Sequence, residues 1–234
     1  METSVQVNQE QSRLGFFARL GNLFSAPSRV FAQLREKPDL IWPLIFFAVM
    51  AGLSLATASF NQKLLADSFP KYAAILSQAQ AQKSTFALIG GAVGSLVGLA
   101  FFWVLGTGIY YLMAKIVGGE SVKFVAFLAM VGYTNIATLL QTAFQSGVLA
   151  LTGSIPPVGL ETGMELSDRF FTTKGLLLSS INPFAIFGII LIIIALEKAF
   201  KISRTKAVSI ALIYWVASIA ISIGLSTFSF SQLR

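Results

Sequence analysis

Glu161, Glu165 and Asp168 form the one acid cluster in the chain, and Glu161 and Glu165 are spaced to share a helical face. Paired carboxylates can divide general acid and general base roles. Here Arg169 and Lys174 stand beside them, and the segment reads instead as a solvated loop. Other catalytic arrangements are closed off by composition. The chain has no histidine and no cysteine, so Ser-His-Asp and Cys-His nucleophiles and His or Cys zinc sites cannot be built. Gly118-Gly119-Glu120 is too short to be a phosphate-cradling loop. No cofactor or metal site is expected, and the chain is read as not an enzyme.

A second group with chemical potential is neutral. Asn135, Thr138, Thr142 and Gln145 fall on one helical face, with Thr134 and Gln141 nearby. Within a membrane such side chains need partners and face the bundle or a hydrated cavity. They could line a path for a small solute, as a passive channel or transporter, or they could hydrogen-bond between helices; the second reading is preferred.

The third group is basic. Arg29, Arg35 and Lys37 precede the first apolar run, and Lys198, Lys201, Arg204 and Lys206 form a turn later in the chain. Each cation near an anionic leaflet is worth about 1 kcal/mol. These seven are the candidates for lipid headgroup contact.

The elements that must carry these groups are set by where charge is missing. Leu40–Gln62, Ser84–Ala114, Phe124–Leu160, Gly175–Leu196 and Ala207–Leu233 contain no Asp, Glu, Lys or Arg. A hydrocarbon core about 30 Å thick takes about 20 residues of helix, so each run can cross once. Mean hydropathy is +0.76 and apolar residues make up 55% of the chain. The fold class expected is all-α: a polytopic membrane bundle of five transmembrane helices, near residues 40–61, 86–114, 124–152, 175–196 and 207–229, within a membrane domain of 38–234. With no ionisable side chain inside any run, an ion-coupled carrier is not expected.

Met1 to Arg13 is polar and reads as a disordered tail rather than a cleavable signal. Residues 14–37 read as amphipathic helices on the cytoplasmic side. Phe16, Phe17, Leu20, Leu23 and Phe24 recur at helical spacing, and Ser25-Ala26-Pro27-Ser28 reads as a restart with a hydroxyl cap. Such a stretch suits a helix lying at the membrane interface, or one packed on the end of the bundle. Asp39 is the expected N-cap of the first span, and Lys71 to Leu76 a short amphipathic helix on the outer surface.

Gly90, Gly94 and Gly98 recur every four residues in the second span, and Ser218 and Ser222 do so in the fifth. Small residues at that interval let helix backbones approach, inside one chain or between copies. Net charge is +7, which reflects loops at a membrane rather than nucleic acid. With the N-terminus inside, eleven Lys and Arg lie on the cytoplasmic side against six opposite. Five spans then place the C-terminus outside.

Several stretches resemble the Yip domain family of five-span membrane proteins. They are Phe24-Ser25-Ala26-Pro27-Ser28-Arg29-Val30-Phe31 with Lys37-Pro38, Gly118 to Phe124 with Gly132-Tyr133, Asn182-Pro183-Phe184, and Lys201-Ile202-Ser203 with Ala207. The resemblance implies a cytosolic N-terminus and five helices. Where the family carries a proline soon after the Gly-Tyr pair, this sequence has Asn135-Ile136, which leaves a kink there open. Eukaryotic members are tied to Rab GTPases and Golgi or ER traffic. The short lead-in resembles the bacterial branch, and no catalytic residues follow from it. The expected function is non-enzymatic: organising lipids, anionic ones above all, or a partner protein or second copy, in a bacterial cytoplasmic membrane.

Overall fold

The structure, a computed structural model, describes residues 15–68 and 85–231. The expected tail before residue 14 and the short helix at Lys71 to Leu76 lie outside them. Among the described residues all regular elements are helices. They are α1 (Phe16–Ser25), α2 (Pro27–Glu36), α3 (Ile41–Ser68), α4 (Thr85–Ile116), α5 (Phe124–Thr134), α6 (Ile136–Thr152), α7 (Leu166–Phe171), α8 (Thr173–Ser179), α9 (Pro183–Phe200) and α10 (Arg204–Ser231).

Five segments are long and apolar enough to cross a membrane: Ile41–Lys63, Val93–Ile116, Phe124–Thr152, Pro183–Phe200 and Arg204–Leu225. The third is the best covered by protein, the other four keeping apolar side chains outward as lipid-facing helices do. It joins α5 and α6, so the bundle is built around it. The fourth charge-free run is not one helix. Asn182 breaks it, its Oδ1 accepting the Ala185 N–H at 2.8 Å and its Nδ2 donating to Ser179 O at 2.9 Å. Pro183 then opens α9, where its missing N–H costs nothing. The span therefore runs to Phe200 and takes in Glu197 and Lys198, while residues 173–179 form a helix of their own.

The third span breaks at Asn135. Its N–H turns to Gly132 O at 3.2 Å in place of Val131 O. The freed Val131 carbonyl accepts from Thr134 Oγ1 at 2.7 Å and Asn135 Nδ2 at 3.2 Å. Side chains of this kind re-satisfy backbone that lipid cannot. The helix is thus interrupted without a proline.

Just before it, Gly132 lets α3 come close. A Cβ there would lie 2.5 Å from Pro43 Cγ and 2.8 Å from Trp103 Cζ2. Trp103 in turn donates to Leu128 O at 3.1 Å, and α3, α4 and α5 are locked together at this level.

The entry helices cap one end of the bundle. Ala26, not a hydroxyl, occupies the N-cap of α2, and Pro27 follows as its first residue. Val30, Phe31 and Leu34 are fully buried against α5 and α9. Removing each from water is worth about 1.5–3 kcal/mol. The amphipathic stripe of α2 therefore faces protein. On α1, Leu23 is buried and Phe16 stacks on Trp42, while Phe17 stays 84% exposed.

Candidate functional site

Antiparallel connections bring the start of α3, the end of α4, the start of α5, the end of α9 and the start of α10 to the end capped by α1 and α2. Two charge clusters hold that end together. In the first, Arg19 Nη1 pairs with Asp39 Oδ2 at 2.6 Å and lies 3.3 Å from the Tyr133 hydroxyl, which donates to the same carboxylate at 3.2 Å. Arg19 Nε also donates to Gln33 Oε1 at 3.2 Å. Burial works against the charge on Arg19. Tyr133 and Asp39 outweigh it and hold its pKa above the usual arginine value. Asp39 acts twice, since its Oδ1 caps the Ile41 N–H at 3.1 Å, as expected of the first span's N-cap.

In the second cluster Glu120 accepts from Lys201 at 2.9 Å and from Arg35 at 3.3 Å. Lys201 foremost, and then Arg35, hold the Glu120 carboxyl below the ordinary glutamate value. Two turns position it. Gly118 ends α4 with φ +86°, and Gly119 N–H returns to Ala114 O at 2.9 Å. Glu120 N–H then donates to Phe200 O at 2.8 Å, tying this turn to the end of α9. Lys201, also at positive φ, follows directly.

The seven basic candidates thus divide. Arg35 and Lys201 are paired, Arg204 Nε lies 4.0 Å from Glu197 Oε1, and Lys206 Nζ donates to Val117 O at 2.8 Å at the end of α4. Arg29, Lys37 and Lys198 are exposed, with no ion pair among the described residues.

The second site lies inside the bundle. A cavity of about 370 Å³ sits where α5 passes into α6, bounded by α3, α4, α9 and α10. Asn135 and Thr138 line it, together with Gln141, Thr107, Tyr110 and Tyr214. The two tyrosine rings meet at 4.2 Å, and Ser218 completes the wall on α10. Thr142 and Gln145, further along α6, are not in its lining. Gly90 and Gly94 are exposed, and no described atom lies within 4 Å of a Cβ placed on Gly90, Gly94 or Gly98. The stripe thus makes no close packing with described residues. Ser222 is exposed.

In the acid cluster Glu165 and Asp168 are exposed, as a solvated loop requires, and Glu161 is not. Glu161 is only 3% exposed, and its Oε1 accepts the Val158 N–H at 2.9 Å. Arg169 donates to Ile155 O at 3.2 Å rather than to the acid. The carboxylate closes a turn at the end opposite α1 and α2. Glu165 stands at the N-cap of α7 and Asp168 in its first turn, where negative charge suits the helix dipole.

Tyr133, Gln33 and Glu120 join the site without having stood among the residues expected from the sequence. Glu120 carried a readable signal, as a lone acid in a short turn between two spans. The Tyr133 hydroxyl carried none, because its partners are over 90 residues away in the chain.

Residues 21–225 match the Yip1 domain. The chain belongs to the Yip1 domain family. The match begins within α1 and ends within α10, so this Yip1 domain includes the second half of α1, all of α2, all five candidate spans and the cavity. The Bacillus subtilis (strain 168) protein named "Membrane protein YknW" is similar, at 25% identity over 214 residues and 87% of each chain. No solved structure matches this Yip1-domain chain.

Proposed function

We propose that this Yip1-domain protein is a non-enzymatic membrane organiser. It resides in a bacterial cytoplasmic membrane with the α1–α2 end at the cytoplasmic leaflet, and gathers anionic lipids there. One observation carries the reading. Among the described residues, ten Lys and Arg lie at the α1–α2 end against four acids, while the opposite end has three against four. Such an excess marks cytoplasmic loops and attracts anionic headgroups. The buried stripe of α2 seats the cap on the bundle, and Arg29, Lys37 and Lys198 are exposed at this end, as is Phe17. Two of these cations extend from the cap itself and one from the end of α9.

The test uses the full chain, because a peptide of the entry segment would expose Val30, Phe31 and Leu34 and bind any bilayer. The protein is reconstituted in mixed vesicles, and the motionally restricted fraction of spin-labelled phosphatidylglycerol is compared with that of phosphatidylcholine. A preference for phosphatidylglycerol that falls with salt is the expected result. Equal fractions for the two lipids would overturn the proposal.

The alternative of a passive channel along the third span has less support. Asn135 and Thr138 reach the cavity, but Thr142 and Gln145 do not extend it toward the other end.

A further inference from the structure

The cavity at the break of the third span has three properties that together describe a ligand. The first is depth. Asn135 stands eleven residues into Phe124–Thr152, about 17 Å along the helix at 1.5 Å per residue, close to the bilayer midplane. The second is access. Phe102, in the lining, is 69% exposed and stands midway along Val93–Ile116, so the lining reaches the lipid-facing side of the bundle.

The third is the state of its polar groups. Thr107, Thr134 and Ser218 each donate to a backbone carbonyl of their own helix. Thr138, Gln141, Tyr110 and Tyr214 have no hydrogen-bond partner for their side chains among the described residues. They are not sealed off either, since none of their polar atoms is a buried, unpaired one. Polar groups left unpaired in hydrocarbon are costly, and four from three helices around one cavity call for a partner that can both donate and accept. No Asp, Glu, Lys or Arg lines the cavity, so a charged head would enter uncompensated.

We propose that this cavity binds a neutral lipid-like amphiphile that enters from the bilayer. Its hydroxyl or carbonyl head reaches Gln141 and Thr138, and its apolar body lies along Phe47, Met50 and Phe102. The volume suits a head and the upper part of one chain, with the remainder left in the bilayer. This site is separate from the basic end, and either reading can fail without the other.

The full-length protein in nanodiscs is photolabelled with a diazirine-bearing long-chain alcohol, and the labelled peptides are mapped. Labelling is expected to concentrate around Thr138 on α6 and Gly188 on α9. An unlabelled long-chain alcohol should compete, and the matching fatty acid, held ionised at alkaline pH, should not. T138W fills the opening at an exposed position, and Q141L removes one hydrogen-bonding group. Each should lower labelling about fivefold, the share of one net hydrogen bond, with the thermal midpoint unchanged. Label spread evenly over lipid-facing residues, equal competition by the ionised acid, or labelling unmoved in a folded Q141L protein would each overturn the proposal. Should T138W not fold, Q141L and the competition experiment decide it.

Discussion

Arg19 on α1 and Asp39 at the head of α3 are joined by a 2.6 Å ion pair across the fifteen residues, α2 and its flanks, that separate the two helices. The pair sits against the Tyr133 hydroxyl of the third span, and so couples the entry helices to the centre of the bundle. Hydrogen bonds between charged groups in such partly buried settings contribute more than exposed pairs do. R19A is expected to lower stability by about 2 kcal/mol. A double-mutant cycle with D39A, read by thermal unfolding in detergent, should show the two losses overlapping rather than adding. Full additivity would mean the pair is not a coupling element.

The Glu120 cluster makes a pH-dependent contribution of definite sign. Its folded-state pKa lies below the ordinary glutamate value, so the folded state binds fewer protons. The stabilisation is present above the ordinary glutamate range and fades as pH falls through the lowered value. Melting temperatures of the wild type and E120Q should differ at neutral pH, the wild type being higher, and converge in acid. A gap that widens in acid would contradict the assignment.

Gly132 holds its place through contact rather than through backbone freedom. A Cβ at that position would press on Pro43 and Trp103, both ring systems packed among helices. G132A is expected to cost about 1–3 kcal/mol, the usual penalty for overpacking, and to be visible as a lowered thermal midpoint. A neutral outcome would show that α3 is free to move away from α5.

The absence of cysteine makes topology simple to read, because any introduced thiol is the only one. Ser28 on α2 and Thr162 at the far end are both exposed. In intact bacterial cells, a membrane-impermeant maleimide should label T162C, and should label S28C only after permeabilisation. The reverse pattern would place α1 and α2 outside.

The gaps in charge made the five spans legible, because a hydrocarbon layer penalises ionisable groups wherever they stand in the chain. They were less informative about helix ends. Glu197 and Lys198 belong to the last turn of α9, where they reach the end of the bundle, so the charge-free run stopped short of the helix. The run also began too early, since Asn182 takes its hydrogen bonds from backbone on both sides and divides what hydropathy alone leaves continuous. The polar face of the third span was half visible. Helical periodicity placed Asn135 and Thr138 together, but assumed a straight helix. The break at Asn135 accompanies a cavity wall of Thr138 and Gln141 that excludes Thr142 and Gln145. The cap was legible as amphipathic, whereas the burial of Val30, Phe31 and Leu34 depends on α5 and α9, which local sequence cannot supply.

The central claim is that the unpaired cations of the basic end gather anionic lipid, and lipid selectivity measured on variants tests it most directly. R29Q/K37Q/K198Q and the charge-keeping R29K/K37R/K198R are reconstituted beside the wild type, and the restricted fraction of spin-labelled phosphatidylglycerol is compared with that of phosphatidylcholine. Each cation near the leaflet contributes about 1 kcal/mol, so the neutralised variant should lose most of the preference and the charge-keeping variant should retain it. A phosphatidylglycerol preference that survives neutralisation in a folded protein would contradict the account.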